Sequence, residues 1–406
     1  MTKPDRGMAR KRILFFAEAV TLAHVARPLV LALSLPASEY EVYFACGTGF
    51  DFALDSVPFE RREIYSVPSS EFLARLAAGA PVYDLPTLRR YTEDDCRLIA
   101  EIKPDVVVGD FRLSLAVSAP HSRVPYAALV NAHWTPYSAT RRLPLPEHPT
   151  IDRFGIPMTT AAFNASQRVF LLMHARPLSR LSRAYGLPGV YNVRDAYSRC
   201  DYALLVDTPQ LAPLTDPPAH YRYLGPVTWS PVMPVPDWWD DGDDQHPVVY
   251  ASLGSSGAVD ALPALVRAVA GLPIRVFVAT AGRFVMDHLP ANVKTAPFLP
   301  GDAAVQKAAA VVCNGGSATV YQALMAGKPV LGVASNMDQF LTMRRVAELS
   351  AGLCLRARLA TEDRIRTAIL RLLEDPSFGT AAQSISADMV TWDPAAKFQE
   401  FLRAAI

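Results

Sequence analysis

Residues 311–339 hold the densest chemistry in this chain. The run Val311-Val312-Cys313-Asn314-Gly315-Gly316-Ser317-Ala318-Thr319 reads as a buried strand, a tight glycine turn and a helix opening at Ser317 or Ala318. Gly315 and Gly316 let the backbone approach a ligand closely, and the following helix aims its free N–H groups and positive dipole end at the same point. An anion belongs there, most economically a diphosphate. The helix stops at Gly327, a second apolar strand follows, and Asp338-Gln339 stand where that strand is expected to end. Ligands of open parallel sheets sit beyond the carboxyl ends of the strands. The spacing therefore predicts one pocket for a phosphate and a hydroxyl-rich group together. A second turn, Leu253-Gly254-Ser255-Ser256-Gly257, follows a strand and is expected to offer its amides and the Ser255 hydroxyl to the same phosphates from the other side. Steric and capping needs account for Gly and Ser in such a turn equally well.

The elements that position these turns repeat along the chain as a short apolar run, a turn and a helical stretch. The runs lie at 13–17, 42–46, 106–109, 126–131 and 203–206, then at 248–253, 275–279, 311–313 and 330–333. Continuous rather than alternating apolar runs mean strands covered on both faces, hence an α/β fold with helix-wrapped parallel sheets. At 406 residues the chain exceeds one hydrophobic core, so two domains are expected. Residues 224–247 are crowded with prolines and aspartates and show no period, which is linker chemistry. The division is then an N-terminal domain at 1–229, a linker at 230–247, a C-terminal domain at 248–385 and a C-terminal helix at 386–406 that can pack back on the first domain. Trp238 and Trp239 are expected to cover apolar surface between the domains, with sugar stacking as the alternative, and segments 66–91 and 144–191 to cover a pocket.

Composition narrows the partners. Forty basic residues face 39 acidic ones, so no nucleic-acid partner is indicated. The five cysteines are odd in number and scattered without a Cys-x-x-Cys pair, as expected of reduced thiols in a cytoplasmic protein without a zinc site. No run reaches the roughly 18 apolar residues of a membrane span, and no bound metal or cofactor is expected.

The second half resembles the nucleotide-sugar-binding domain of family-one glycosyltransferases, the group of plant natural-product, macrolide and glucuronosyl transferases. That family carries His-Gly-Gly-x-x-Thr-x-x-Glu-Ala, then Gly-x-Pro, a strand and Asp-Gln; here stand Asn314-Gly315-Gly316-Ser317-Ala318-Thr319, Gln322-Ala323, Gly327-Lys328-Pro329 and Asp338-Gln339. The resemblance spans about ninety residues with the Ser-Leu-Gly-Ser turn and 292–300, and continues faintly over the first half. It implies two facing Rossmann-like domains with the site in the cleft between them, the GT-B build. It also implies that Gly315, Gly316, Ser317, Thr319 and Ser255 hold the diphosphate of a UDP- or dTDP-linked sugar. Gln322 would meet the ribose, Leu299 the base, and Asp338 with Gln339 the sugar hydroxyls. Two positions depart: Asn314 replaces the family's histidine and Gln322 its glutamate. A neutral hydrogen bond contributes about 0.5–1.5 kcal/mol where a charge-assisted one contributes about 1.5–3, so the expected loss is at most about tenfold in donor affinity.

In the first half, His24 falls at the mouth of the first helix, where inverting members of the resembled family place their general base. Histidine titrates in the range needed to take a proton from an alcohol. Asp110 ends the apolar run 106–109 with a carboxylate and is the expected partner of His24, its competing role being a helix cap for the stretch from Ser114. His133 and Trp134 follow another strand and are expected to line the acceptor cleft, with plain packing as the alternative. Glu18 is expected to be a polar strand end, with contact to an acceptor as the alternative. The sequence thus predicts an inverting, metal-independent transferase moving a hexose to a hydroxyl of a small hydrophobic acceptor. A sugar-nucleotide epimerase or hydrolase, and a catalytically silent nucleotide-binding partner, are the other classes these residues allow.

Overall fold

Apolar runs become strands buried on both faces. In the computed structural model, which describes residues 10–241, 245–254, 261–282 and 288–406, the first sheet is built from β1 (Lys11–Ala17), β2 (Tyr40–Cys46), β3 (Glu60–Glu63), β4 (Val106–Asp110), β5 (Tyr126–Val130), β6 (Tyr202–Leu205) and β7 (Tyr221–Tyr223). The second holds β8 (Val248–Ser252), β9 (Arg275–Ala279), β10 (Val293–Ala296), β11 (Ala308–Cys313), β12 (Val330–Ala334) and β13 (Gly352–Arg356). All pairings within them are parallel, in the orders β3-β2-β1-β4-β5-β6-β7 and β10-β9-β8-β11-β12-β13.

Both orders reverse once, between β1 and β4 and between β8 and β11. Chains leaving such neighbours turn to opposite faces, and the crevice this opens lies at the carboxyl ends of the strands. Ala17 pairs with Asp110 and Ser252 with Cys313, so the ends of each pair are level. Every residue read from the sequence as a base or a phosphate turn follows one of these four strands.

Helices α1 (Leu22–Leu33), α2 (Ser69–Ala77), α3 (Leu85–Ile102), α4 (Leu115–Ser122), α5 (Thr150–Ala184) and α6 (Val193–Tyr197) belong to the first domain. Helices α7 (Leu262–Val269), α8 (Gly301–Lys307), α9 (Ser317–Met325), α10 (Met337–Glu348), α11 (Glu362–Glu374) and α12 (Pro376–Met389) belong to the second. The segments expected as covers are helical walls: Phe72 and Leu76 of α2, and Phe170 and His174 of α5, reach the interdomain cleft. Helix α5 is kinked at Gly155, whose φ of 73° is open to glycine at little cost.

The last helix, α13 (Pro394–Ala405), returns to the first domain. Phe398, Phe401 and Leu402 sit in one core cluster with Phe15 and Phe44, and Gln399 Nε2 donates to the Ser34 carbonyl at 2.7 Å. The break before it falls at 390–393 rather than at 385, because α12 continues to Met389 to pack on α9, where Ser386 Oγ donates to the Met325 carbonyl at 2.6 Å. Trp238 and Trp239 pack within the second domain instead of bridging the two, with Trp239 buried 5.2 Å from the ring of Phe277.

Candidate active site

His24 stands in the first turn of α1, just past the end of β1, with 19% of its side chain exposed. Its Nδ1 lies 2.8 Å from Asp110 Oδ1 at the end of β4. Arg27 Nη2 stands 2.8 Å from the same nitrogen; in the tautomer that gives its Nδ1 proton to Asp110, which only accepts, the Nε2 lone pair is left for the cleft. Arg27, one turn further along α1, clamps the same carboxylate through Nε to Oδ2 at 2.8 Å and Nη2 to Oδ1 at 2.7 Å. Its Nη1 donates to Asn131 Oδ1 at 2.8 Å. Asp110 is therefore no helix cap: the N-cap of α4 is Ser114, without a side-chain cap bond, and the Asp110 oxygens serve His24 and Arg27.

Phe111 fixes the other face of the imidazole. Its ring stacks on His24 with centroids 4.5 Å apart and planes 11° from parallel. The backbone of Phe111 adopts a φ of 60°, a left-handed conformation costing a bulky residue about 1–3 kcal/mol and found at sites the surroundings over-determine. Glu18 is fully buried away from the cleft, bound by Arg112 at 3.0 Å and by the Tyr91 hydroxyl at 2.7 Å. Arg112 also grips Asp95, so a buried ion cluster backs the wall that carries Phe111.

On the opposite lobe, the turn after β11 demands glycine at Gly315. Its φ is 82°, and a Cβ there would stand 2.7 Å from Met343 Cγ. Gly316 has an ordinary φ of −72° and is the N-cap of α9, its N–H donating to Asn314 Oδ1 at 3.1 Å. The side chain of Asn314 thus closes the turn. First-turn amides of a helix have no intrahelical acceptor, and those of α9 open on the cleft at Ser317, Ala318 and Thr319. Gln322 lines the same wall, its Nε2 donating to the Trp229 carbonyl at 2.7 Å and to Asp302 Oδ1 at 3.2 Å.

Asp338 and Gln339 lie in the first turn of α10, not at the end of a strand. Gln339 is buried and completes a capping box: its N–H bonds Asn336 Oδ1, and its Oε1 accepts from Ser335 N–H at 2.8 Å and from Asn336 N–H. Asp338 faces the cleft, and His133 Nε2 and Trp134 Nε1 reach its Oδ1 from the first domain at 2.9 and 2.7 Å. His133 is consequently buried on Asp338 rather than lining the cavity, whereas Trp134 does both. Burial pushes the Asp338 carboxyl up, but the bonds from His133 and Trp134 outweigh it and hold it at about 2.

The cavity enclosed by the lobes measures about 520 Å³. The structure brings onto its wall His24, Asp110, Phe111 and Trp134 from one side and Leu299, Asn314, Gly316, Ser317, Thr319, Gln322 and Asp338 from the other. Gly315 and Gln339 stand behind it, and Ser255 lies outside the described residues. Arg27 and Phe111 escaped the sequence reading; the one signal for Arg27 was its spacing three residues after His24, which sets the two on one helix face.

Residues 282–399 match the family model described as erythromycin biosynthesis protein CIII-like, C-terminal domain. A PGL/p-HBAD biosynthesis rhamnosyltransferase of Mycobacterium bovis (strain BCG / Pasteur 1173P2) is 43% identical over 390 residues, 95% of this chain and 86% of that protein. This chain belongs to the family-one-like glycosyltransferases. A PGL/p-HBAD biosynthesis glycosyltransferase of Mycobacterium tuberculosis (strain ATCC 25177 / H37Ra) is likewise 43% identical, over 94% of this chain and 90% of its own. The fold is that of the spinosyn rhamnosyltransferase SpnG complexed with thymidine diphosphate, with a TM-score of 0.69 at 20% identity over 96% of this chain and 99% of that one. The glycosyltransferase has the GT-B build that its sequence implied.

Among the described residues of this glycosyltransferase, no group of three His, Cys, Asp or Glu side chains could hold a metal, and no helix is long and apolar enough to cross a membrane. Asp241-Gly242-Asp243 does spell the Asp-x-Asp of metal-dependent transferases, but residues 242–244 lie outside the described part of the chain. The carbonyl of Asp241 accepts from Arg275 at the start of β9, at the amino-terminal end of the strands and so opposite the cleft. All five cysteines are free.

Proposed function

We propose that this glycosyltransferase moves a hexose from a UDP- or dTDP-linked sugar to a hydroxyl of a small hydrophobic acceptor, inverting the anomeric centre. The observation that carries the reading is the placement of His24 and the amide end of α9 on facing walls of one cavity. The acceptor enters along Phe72, Phe111, Phe170 and Tyr197, an aromatic wall that favours an apolar body. Nε2 of His24 takes the hydroxyl proton as the oxygen attacks the anomeric carbon. Asp110 receives the Nδ1–H and stabilises the imidazolium that forms.

The bond from the anomeric carbon to the diphosphate breaks on the opposite face of the sugar. Charge developing on the diphosphate meets the first-turn amides and dipole of α9, which are in place before the reaction and need no reorganisation. Asp338 offers a carboxylate to the sugar hydroxyls. A rhamnosyl donor is the first to test, because the mycobacterial relative is a rhamnosyltransferase, and a dTDP-linked one because SpnG is known with thymidine diphosphate.

A thermal-shift panel of UDP- and dTDP-sugars identifies the donor, since a ligand of the folded state raises the melting temperature. Turnover with hydroxylated apolar acceptors, followed by NMR of the anomeric proton, then gives the stereochemistry. Retention of configuration, or no stabilisation by any nucleotide sugar, overturns the proposal.

A further inference from the structure

The carboxylate of Asp207, fully buried just past the end of β6, accepts from Asn131 Nδ2 at 2.9 Å, from the Ala132 N–H at 2.5 Å and from the Tyr321 hydroxyl. Tyr321 belongs to α9, whose N-terminus faces the proposed diphosphate site, so the last of these bonds crosses between the lobes. Burial, with Asp207 beside it, pushes the Tyr321 phenol well up, and the hydroxyl remains a donor. The amide of Asn131 is used at both ends: its Oδ1 accepts from Arg27 while its Nδ2 donates to Asp207. Arg27 in turn clamps Asp110, which holds His24.

The whole chain of contacts runs along the carboxyl ends of β1, β4, β5 and β6, neighbours in the sheet. Each member is buried or nearly so, and buried polar groups that lose a partner carry the full desolvation cost. None of its links is free to relax alone.

We propose that Tyr321 and Asp207 are positioning residues for His24, making the geometry of the base depend on the docking of the donor-side helix. Tyr321 orients Asp207, Asp207 fixes the amide of Asn131, and that amide sets the guanidinium that holds the Asp110 carboxylate. A lobe pair that opens at α9 withdraws the Tyr321 hydroxyl and loosens the far end of the relay, so the base is held in register only when the donor lobe is seated. The inference rests on the reading of His24 as the base.

Kinetics of Tyr321→Phe, Asn131→Ser and the double variant test it, with calorimetry of dTDP and UDP as the donor-site probe. Loss of a hydrogen bond to a charged group predicts a kcat lowered about tenfold or more in Tyr321→Phe, with the nucleotide Kd within about twofold of wild type. The double variant is expected to be no slower than Asn131→Ser alone, because both changes cut one relay. Wild-type kcat in Tyr321→Phe, parallel loss of kcat and nucleotide affinity, or multiplying losses in the double variant would each overturn the relay. If Asn131→Ser does not fold, the split between kcat and Kd in Tyr321→Phe decides. His24→Ala is the control: turnover surviving in it refutes the base itself, whereas a dead His24→Ala beside a normal Tyr321→Phe refutes the relay alone.

Discussion

His133 and Asp338 meet across the cleft, Nε2 of one 2.9 Å from Oδ1 of the other, although 205 residues separate them in the chain. Trp134 donates to the same oxygen. The Asp338 side chain keeps 39% exposure on the cavity wall, so its second oxygen is the one left for the proposed sugar contact. His133→Ala should therefore raise KM for the nucleotide sugar while leaving the Kd of the free nucleoside diphosphate unchanged, since the proposed diphosphate site is at α9. Equal losses for both ligands in a calorimetric comparison would refute this division of labour.

Acid should open the same contact. The folded-state carboxyl of Asp338 sits at about 2 against 3.8 when unperturbed, so between these values the unfolded chain binds more protons. The stability contributed is complete above about 3.8 and is lost as pH falls towards 2. Melting temperature followed over that window should fall less steeply in Asp338→Asn than in wild type. Parallel curves would show that the bonds from His133 and Trp134 do not favour the ionised form.

Arg27 and His24 hold one carboxylate but differ in what their removal leaves behind. Asp110 is 1% exposed, and Arg27→Ala strands it with only the His24 contact in place of the guanidinium, a loss expected to cost about 3–5 kcal/mol. His24→Ala leaves the Arg27 clamp intact, so it should melt near wild type while losing turnover. A stable Arg27→Ala protein in denaturant titration would mean that Asp110 is compensated from elsewhere.

The nine apolar runs in the sequence all became strands, and the four strands they missed, β3, β7, β10 and β13, are the edges of the two sheets. An edge strand has one neighbour and a wetter face, so Glu60-Arg61-Arg62-Glu63 carries no apolar run to read. His24 and Asp110 were legible because each stands at the end of a strand that does carry one. Asn131, Asp207 and Tyr321 were not, because their association depends on strand order and on how the lobes face each other, which no local pattern encodes. Asp338-Gln339 was misplaced for a different reason. Asn336 followed three residues later by Gln339 has the spacing of a capping box, a signal present in the sequence but overridden there by the preceding apolar run.

The two glycines of the phosphate turn should separate in mutagenesis. Gly315→Ala meets both a left-handed backbone and Met343 at 2.7 Å, and should destabilise the second domain by about 1–3 kcal/mol. For Gly316 the nearest atom to an added Cβ is Asn314 Oδ1 at 3.4 Å, an ordinary contact, so Gly316→Ala should fold normally. Gly316→Val should fold as well yet lose donor affinity, because its branches enter the cleft before α9. Thermal melts paired with nucleotide titrations check all three, and a Gly315→Ala protein as stable as wild type would mean that the turn adopts another backbone.

Asn314 departs from the histidine of the resembled family, and its contacts indicate what the exchange would do. Its Oδ1 accepts from the Gly316 N–H, closing the turn. The Nδ1 of a histidine sits at the same distance along the side chain as Oδ1 of asparagine, so Asn314→His can keep this bond as an acceptor while directing Nε2–H towards the diphosphate. Below neutral pH the imidazolium gives up the Gly316 bond, because both its nitrogens then donate, but offers the diphosphate a charge-assisted donor, so donor binding should tighten by up to about tenfold, more below neutral pH than above it. Nucleotide titrations at two pH values measure this. Equal affinity at both would place the side chain at 314 off the phosphates, as a turn-closing residue alone.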